Sequence, residues 1–500
     1  MNKGFMQAKK DAKRGWSSGM PWSNHACFWI VFLVHVSIAL IYKEIIGLNI
    51  EADPARNTWD WYWQTLPIEA LRFNLLESIW NLHSQPPLYN LYGAFFARIF
   101  YPNHLQAMHY SNIILGSLLS GMMYGIVLQF TQNRRLSFLT ALALALNPAL
   151  FLYEAYPLYT LLAAFLLVLT LFCLALFSLG KRCRYLYAFV LGLNLLIMTR
   201  SLDHVVILLV GIPIACVLAG WNWRKVLVGS IIISSLSVGW YGKNYVKFGF
   251  FGGSSWSGLG LWKAVVLNYP EAEIEALVEE GVVEPAVADL YPFSLPSRFA
   301  EYGFNQTSEI DVLSRDDFNN INIIAISKMY QRSAFRLIAH DPVHYLQNVY
   351  GAYRTYSCPS STYQYLSYNA AKIHLHEAIS SLIIHGHWLT TRLNSWLGRD
   401  PFCSLLFFYL PASLLIYAVA AVRRCGKSLR EWVQYVRTDG VMMFSAFMIA
   451  YTTFVSCALE YGESVRFKFL IESILWAFIV GVAYRCVRQV WQGRASRSGG

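Results

Sequence analysis

Long apolar runs recur along the chain, separated by short stretches that are polar or basic. As helices, runs of about 20 residues cross the ~30 Å hydrocarbon core of a bilayer. Runs of this kind lie near residues 27–47, 107–130, 136–152, 158–178, 185–199, 203–220, 226–243, 402–422, 439–459 and 465–484. A transmembrane β-barrel would instead show short segments of alternating polarity. The pattern therefore predicts an all-α polytopic membrane protein with about ten transmembrane helices.

Clusters of basic residues between the runs indicate which loops face the cytoplasm, because Lys and Arg are concentrated on that side. The clusters are Arg134–Arg135, Lys181–Arg182–Arg184, Arg224–Lys225, Arg423–Arg424 with Lys427 and Arg430, and Arg485 with Arg488. With the N-terminus inside, an odd number of crossings must separate residue 84 from Arg134, and the run at 107–130 supplies one. The shorter run at 86–101 begins at Pro86–Pro87, which suits a helix start. We expect this run to lie along the outer surface as a juxtamembrane helix.

This threading divides the chain into five parts, with both termini in the cytoplasm. They are a cytoplasmic N-terminus at 1–26, an N-terminal transmembrane module at 27–243 with an external loop at 48–106, an external segment at 244–401, C-terminal transmembrane helices at 402–488 and a cytoplasmic tail at 489–500. The external segment is less apolar than the rest. Apolar residues recur at helical spacing in NINIIAISKMYQRSAFRLIAH, so we expect a small, mostly helical segment with a helix on the outer face.

Composition agrees with a membrane protein and argues against nucleic-acid binding. Hydrophobic residues make up 56% of the chain and charged residues 14%, whereas soluble domains carry about 25% charged residues. The formal net charge of +11 invites a nucleic-acid interpretation. Basic cytoplasmic loops explain it better, so the expected partner is the bilayer.

Neither cysteines nor histidines form a metal-binding pattern. The nine cysteines contain no CxxC pair and indicate neither a disulfide framework nor a zinc site. Histidines cluster as His374 with His376 and as His385 with His387. Each pair is spaced i, i+2, and such side chains diverge on a helix. The histidines offer divalent-metal ligands in principle, but we expect no metal and no other cofactor.

Ionisable residues gather at the predicted outer ends of the runs, where charge is costly and often functional. They are Asp53, Asp60, Glu154, Arg200 with Asp203, Lys243, Glu460, Glu463, Arg466 and Lys468, with Glu472 continuing into the last run. Cations at the headgroup level suit a phosphate, which guanidinium groups bind in a bidentate manner. A carboxylate in the same ring suits proton abstraction from a hydroxyl. Together these groups predict transfer of a group from a phosphate-bearing lipid.

Five short motifs follow one another in an order that resembles a known superfamily. Asp60-Trp61-Tyr62-Trp63 is followed, at an offset of 23, by His83-Ser84-Gln85-Pro86-Pro87-Leu88; then come Asn147-Pro148 with Glu154, Lys243-Asn244-Tyr245 with Phe248-Gly249, and Glu463 with Arg466-Phe467-Lys468. This order resembles the GT-C superfamily of polytopic membrane glycosyltransferases, which includes protein O-mannosyltransferases and the aminoarabinose transferases of lipid A. The chain departs from the commonest family form at Trp61, in place of Glu, at the inserted Ser84-Gln85, and at Lys243, in place of Arg.

The resemblance implies an inverting glycosyltransferase that uses a polyprenyl-phosphate-linked sugar as donor. The acceptor would be a hydroxyl of a lipid, glycan or protein on the outer face of the membrane. Because the similarity is greatest to bacterial members, it implies the plasma (inner) membrane, with the active site facing the periplasm or exterior.

The resemblance also assigns roles to individual residues. Asp60 is expected to be the general base that deprotonates the acceptor hydroxyl, and Asp53 is the alternative. Substrate-binding roles fall to His83, Glu154, Arg200, Lys243, Glu463, Arg466 and Lys468. Within this group, His83 and Glu154 would orient the sugar or acceptor, and the cations would neutralise the leaving phosphate.

Two other classes of protein fit parts of the pattern. A polytopic transporter would bind its substrate near the bilayer midplane, often between inverted repeats, but here the ionisable residues gather at one rim. A polysaccharide polymerase or ligase would use lipid-diphosphate donors. An external loop rich in Arg and His would favour that enzyme, and residues 244–401 are only moderately rich in them.

Overall fold

The computed structural model describes residues 22–51, 58–397, 403–426 and 428–497. Within these ranges the chain is helical and contains no β-strand. In chain order the helices are α1 Trp22–Ile41, α2 Ile68–Phe73, α3 Leu75–Trp80, α4 Leu88–Ile99, α5 His104–Thr131, α6 Arg134–Ala145, α7 Pro148–Glu154, α8 Thr160–Gly180, α9 Arg184–Thr199, α10 Val206–Ala219, α11 Trp223–Phe248, α12 Ser257–Val266, α13 Glu271–Glu279, α14 Pro285–Asp289, α15 Asp311–Ser314, α16 Ile323–His340, α17 Pro342–Tyr356, α18 Ser367–Ala370, α19 His374–Ile383, α20 His387–Leu397, α21 Leu406–Cys425, α22 Leu429–Ala458 and α23 Ser464–Arg497.

The protein is an all-α polytopic membrane protein. Among the described residues, seven helical stretches are long and apolar enough to cross a bilayer, or eight if the bent pair α6 and α7 forms one span. The sequence pattern predicts about ten. Two features account for the difference: α9 has only 16 residues, and α10 and α11 together count as one apolar stretch at Val206–Phe248.

That stretch folds back on itself. Gly220, between α10 and α11, has φ 59° and ψ −118°, a backbone conformation outside the helical region. The ring of His204, just before α10, lies 5.1 Å from the ring of Tyr241, near the end of α11. Because the start of one helix meets the end of the other, α10 and α11 form an antiparallel hairpin, which provides two crossings.

Helices α5, α8 and α23 form the centre of the bundle and pack against one another, while α1 and α9 pack on its outside. Small residues allow these helices to approach closely, as is common in membranes. Gly125 of α5 faces the ring of Phe172 in α8, and Gly481 of α23 faces Phe130 of α5. A β-carbon at either glycine would overlap the facing phenylalanine side chain.

The short run after Pro86–Pro87 forms α4, whose 12 residues are too few to cross a bilayer. Its buried face carries Tyr89 and Gly93, and its exposed face carries Phe95 and Ile99. The exposed face of this helix is therefore largely apolar, while the buried face packs on α2 and α5.

The external segment has a hydrophobic core of its own, built mainly by α12, α13, α14 and α16. Buried aromatic side chains dominate it, among them Trp262, Phe299, Phe318 and Tyr330. Helix α17 then packs against α22 and α23 and joins this core to the bundle.

A disulfide joins Cys358 to Cys403 across 45 residues of sequence. The spacing of the cysteines predicts no disulfide framework, because a single pair with this separation matches no motif. The other seven cysteines are free.

Two hydrogen bonds bring predicted cytoplasmic clusters together in space. The Arg485 guanidinium donates from Nε to the carbonyl of Phe130, 3.0 Å away and shortly before Arg134. The Tyr187 hydroxyl donates to the carbonyl of Lys225 at 3.2 Å. The cluster at Arg485 therefore lies near the one at Arg134, and the cluster before Tyr187 lies near the one at Lys225.

At the same end of α23, one ion pair holds three helices together. The two terminal guanidinium nitrogens of Arg485, Nη1 and Nη2, each lie 2.8 Å from a carboxylate oxygen of Asp439. The hydroxyls of Tyr417 and Tyr435 also donate to this carboxylate. Asp439 has φ −130° and kinks α22, which directs its carboxylate at these partners.

We expect Asp439→Asn to lower the free energy of unfolding by about 2–3 kcal/mol, near the lower end of the cost of breaking a buried ion pair. The asparagine leaves the Arg485 guanidinium without a counter-charge. Thermal unfolding in detergent measures the change. Arg430→Met, at an exposed position of α22, is the control and should change the midpoint little. Equal midpoints for Asp439→Asn and wild type would contradict the assignment.

Candidate active site

The first external loop fixes the Asp60 carboxylate through its backbone. Oδ1 of Asp60 accepts a hydrogen bond of 2.7 Å from the backbone N–H of Ile68, at the start of α2. The preceding Trp59 donates its indole N–H to the Leu66 carbonyl and packs on the ring of Tyr89. The loop is thus closed on itself and anchored to α4. The Asp60 side chain is exposed, and its second oxygen is available to a ligand.

The HSQPP turn before α4 is held by residues distant in sequence. The backbone N–H groups of His83 and Ser84 both donate to Oδ1 of Asn319, at 3.0 and 3.1 Å. Nδ1 of His83 lies 2.9 Å from the Ser255 hydroxyl. His83 is fully buried. The turn therefore joins the transmembrane module to the external segment.

Burial, above all, lowers the pKa of His83 from 6.5 to about 3, and the nearby charge of Lys243 acts in the same direction. The imidazole is therefore neutral at physiological pH. Its role in this structure is to hold the turn, so we do not assign it a charged role.

We expect the folded protein to lose stability as the pH falls below 6.5. In the unfolded chain His83 takes up a proton near its ordinary pKa of about 6.5, whereas the folded chain resists protonation down to about 3. Each pH unit in this window costs up to about 1.4 kcal/mol.

His83→Asn keeps a polar group for Ser255 and removes the titration. Thermal unfolding at pH 7.5 and pH 5.0 should therefore show a smaller acid-induced loss for the variant than for wild type. Equal losses in the two proteins would rule out His83 as the source.

A cavity of about 100 Å³ lies between the first external loop, the HSQPP turn and the external segment. Its wall combines two carboxylates with hydroxyl, amide and aromatic groups. The lining residues are Asp60, Tyr62, Trp63, Thr65, Leu66, Pro67, Ser84, Asp317 and Asn319. The wall therefore offers aromatic faces beside a few oriented polar groups.

A chain of aromatic rings leads from the cavity to the interior of the bundle. The ring of Tyr62 lies 5.6 Å from that of Tyr156, which lies 6.0 Å from that of Tyr363. The turn between α7 and α8 carries both Tyr156 and Tyr159. The hydroxyl of Tyr159 accepts a hydrogen bond from Arg466 at 3.3 Å.

Arg466 is buried where α23 begins, among these rings. Its Nε lies 2.5 Å from Oε2 of Glu463, and the Tyr363 hydroxyl donates to the other oxygen of that carboxylate at 2.8 Å. Nη1 of Arg466 is buried without a partner among the described residues. The guanidinium is therefore oriented by the protein and keeps donor capacity.

Arg200 provides a second buried guanidinium in the same region. It is 3% exposed, its Cζ lies 3.9 Å from the centre of the Phe467 ring, and Arg466 lies within Coulombic range. Nε and Nη2 of Arg200 have no partner in the described parts of the chain. Buried donors of this kind are costly unless an acceptor satisfies them. An oxyanion would do so.

Lys243 and Lys468, which the sequence predicts to bind substrate, contact different parts of the protein. Lys243 donates its ammonium to the Leu82 carbonyl at 2.7 Å and so supports the HSQPP turn. Lys468 is fully buried and donates to the carbonyl of Cys358, beside the disulfide. Its ammonium also lies 3.8 Å from the carboxylate of Glu472. Both lysines thus hold backbone carbonyls, and neither lines the cavity.

Glu154 is turned away from the cavity. Its Oε1 lies 2.7 Å from Nε2 of His35 in α1, and its carbonyl accepts from Asn112 of α5 at 3.0 Å. Nδ1 of His35 lies 2.6 Å from the Ala145 carbonyl, so this nitrogen carries a proton. Glu154 therefore braces the turn that presents Tyr156 and Tyr159.

The structure thus places Asp60 at the cavity, His83 in the turn that bounds it, and Arg200, Glu463 and Arg466 at the inner end of the aromatic chain. Asp53 lies outside the described residues. Within the described ranges, no group of three or more His, Cys, Asp or Glu side chains is arranged to hold a metal ion.

Sequence reasoning missed five residues that build this region: His35, Tyr159, Asp317, Asn319 and Tyr363. Of these five, only Asp317 and Asn319 of the external segment lie in a stretch whose composition is distinctive. The polar stretch Asp316-Asp317-Phe318-Asn319-Asn320 stands out in the external segment, but nothing in it indicates that it meets the first loop.

Comparisons with known proteins give a limited result. No protein-family model matches the chain, and no curated protein matches it. Among solved structures, it is similar to ArnT from Cupriavidus metallidurans bound to undecaprenyl phosphate, with 15% identity and a TM-score of 0.29 over 91% of this chain and 77% of that one. The apo structure of the same protein gives 15% identity and a TM-score of 0.32 over 91% and 78%. Similarity at this level assigns neither substrate nor activity.

Proposed function

We propose that the protein is an inverting glycosyltransferase that moves a sugar from a polyprenyl-phosphate carrier to a hydroxyl acceptor at the outer face of the membrane. The observation that carries the proposal is the joint placement of two complementary groups. A carboxylate, Asp60, stands at a cavity, and two buried guanidinium groups with unpaired donors, Arg200 and Arg466, lie at the end of an aromatic path from that cavity.

Each group has a distinct part in the reaction. The acceptor oxygen attacks the anomeric carbon, and Asp60 takes the proton of the acceptor hydroxyl. The bond between the anomeric carbon and the phosphate oxygen breaks on the opposite side of that carbon, which inverts its configuration. The phosphate stays on the polyprenyl carrier. Its gain in negative charge is neutralised by Arg200 and Arg466.

Positioning supports this assignment more than basicity does. The backbone N–H of Ile68 holds one oxygen of Asp60, and Glu463 and Tyr159 hold the guanidinium of Arg466. Groups that are oriented before the substrate binds need no reorganisation during the reaction.

The disulfide between Cys358 and Cys403 supports the placement of the site at the outer side of the membrane. Disulfides persist in oxidising compartments such as the periplasm. Lys468 donates to the carbonyl of Cys358 from the same helix that carries Arg466. The proposed site and the disulfide therefore share one end of the bundle, away from the basic clusters near Phe130 and Arg485.

We expect Asp60→Asn to lower kcat for sugar transfer by about 10²- to 10⁴-fold, the usual contribution of a general base. Asparagine can still accept from the N–H of Ile68, so the loop should remain folded. The assay uses purified protein, a radiolabelled polyprenyl-phosphate sugar and a panel of membrane acceptors.

Glu69→Gln, at an exposed position nearby on α2, is the matched control and should transfer at the wild-type rate. Asp53→Asn, tested in parallel, decides between the two aspartates. No transfer by wild type with any donor, or unchanged transfer by both aspartate variants, would falsify the mechanism.

We expect Arg466→Met to raise the KM for the donor by about 10- to 100-fold, since a hydrogen bond to a charged group contributes about 1.5–3 kcal/mol. The single change also leaves Glu463 without its partner. The double variant Arg466→Met with Glu463→Gln removes that effect and should retain the same KM defect. A normal donor KM in the double variant would exclude Arg466 from phosphate binding.

A further inference from the structure

The loop at residues 316–320 of the external segment closes one side of the cavity. The ring of Phe318 packs in the external core beside Trp256 and also contacts the ring of Trp63 from the first external loop. The loop is therefore fixed on both sides, to the external segment and to the loop that carries Asp60.

Asn319 secures this arrangement with its whole carboxamide. Oδ1 accepts from the N–H groups of His83 and Ser84. Nδ2 donates to the carbonyls of Asn81 and Val312, at 3.3 and 3.0 Å. Because both ends of the side chain are engaged, Asn319 positions the loop and has little capacity left for a ligand.

Asp317, by contrast, keeps capacity for a ligand. Its Oδ1 accepts from the backbone N–H of Asn319 at 2.8 Å. Its Oδ2 has no hydrogen-bond partner among the described residues, and the side chain lines the cavity. Asp60 has the same arrangement, with one oxygen held by a backbone N–H. Two carboxylates are thus oriented in one small cavity, each with a free oxygen.

The composition of the wall indicates what the cavity accepts. Its lining contains no Lys, Arg or His, so an anionic group would meet only negative charge there. Free carboxylate oxygens accept hydrogen bonds from hydroxyl groups, and the rings of Tyr62 and Trp63 provide apolar faces. A polyhydroxylated, uncharged ring matches both features. The phosphate would lie elsewhere, at the arginines.

We propose that Asp317 is a specificity-determining residue that accepts a hydrogen bond from a hydroxyl of the carbohydrate bound beside Asp60. The inference rests on the proposed function and extends it, because it assigns part of substrate selection to the external segment. Burial raises the pKa of Asp317, because its side of the site is partly shielded from water. In such a site hydrogen bonds to a ligand are stronger than in solvent.

Asp317→Asn is a suitable test because it preserves the local fold. The asparagine oxygen can still accept from the N–H of Asn319, while its amide group replaces the free acceptor with a donor. The adjacent Asp316 provides a matched control. It is exposed, and its carboxylate binds the backbone N–H and hydroxyl of Ser297, at 2.8 and 2.6 Å. It does not line the cavity.

Steady-state transfer kinetics should show a KM about 10-fold higher for Asp317→Asn, with kcat within about twofold of wild type, as expected for loss of one charge-assisted hydrogen bond. Asp316→Asn should match wild type, and Asp60→Asn should lose kcat instead. A rise in KM for the donor places the donor sugar on Asp317. A rise for the acceptor places the acceptor there.

Binding provides a readout that does not depend on transfer. Equilibrium dialysis of a radiolabelled polyprenyl-phosphate sugar, and separately of a free glycan acceptor, is run on wild type, Asp317→Asn and Asp316→Asn. Weaker binding of either ligand to Asp317→Asn alone supports the proposal, even if wild type transfers nothing and the enzymatic function fails.

Equal binding and equal KM values for all three proteins, or no binding of either ligand to wild type, would overturn the proposal. A thermal unfolding midpoint of Asp317→Asn equal to that of wild type shows that the fold is retained.

Discussion

The turn that precedes α4 has neither a helix nor a strand to satisfy its backbone, and the carboxamide of Asn319 performs that task. Buried N–H and C=O groups must find partners. Here one side chain from the external segment accepts from His83 and Ser84 and donates to Asn81. This contact holds the external segment against the turn, and the ring of Phe318 holds it against Trp63 of the first loop, so the cavity lies where the three parts meet. Ser255 and Lys243 add further bonds to the same turn.

Charge is divided between two places that a path of tyrosines connects. The carboxylates of Asp60 and Asp317 line the cavity, whereas the guanidinium groups of Arg200 and Arg466 are buried in the bundle. Tyr62 and Tyr156 separate the two regions with groups that carry no net charge.

The helices were predictable because apolar runs of membrane-spanning length leave a strong signal in sequence. The predicted span near 203–220 coincides with α10, and the following one lies within α11. The number of crossings was less certain, since α9 is short and α6 bends into α7 at 49°.

Side-chain partners were far less predictable. Their positions along the chain predict that Glu154 and Lys468 belong to the substrate site. In the structure Glu154 faces His35 and Lys468 faces the carbonyl of Cys358, and no local pattern indicates either partner. Asp317 was missed for the same reason. It is 257 residues from Asp60 (317 minus 60), and only tertiary packing brings the two carboxylates to one cavity.

The hydrogen bond between Arg466 and Tyr159 has a consequence for biogenesis. The guanidinium comes from α23, so the inner end of the site cannot be complete until the chain has been synthesised and inserted as far as this helix. A nascent chain that already contains Asp60 and Arg200 therefore still lacks the second buried guanidinium of this region.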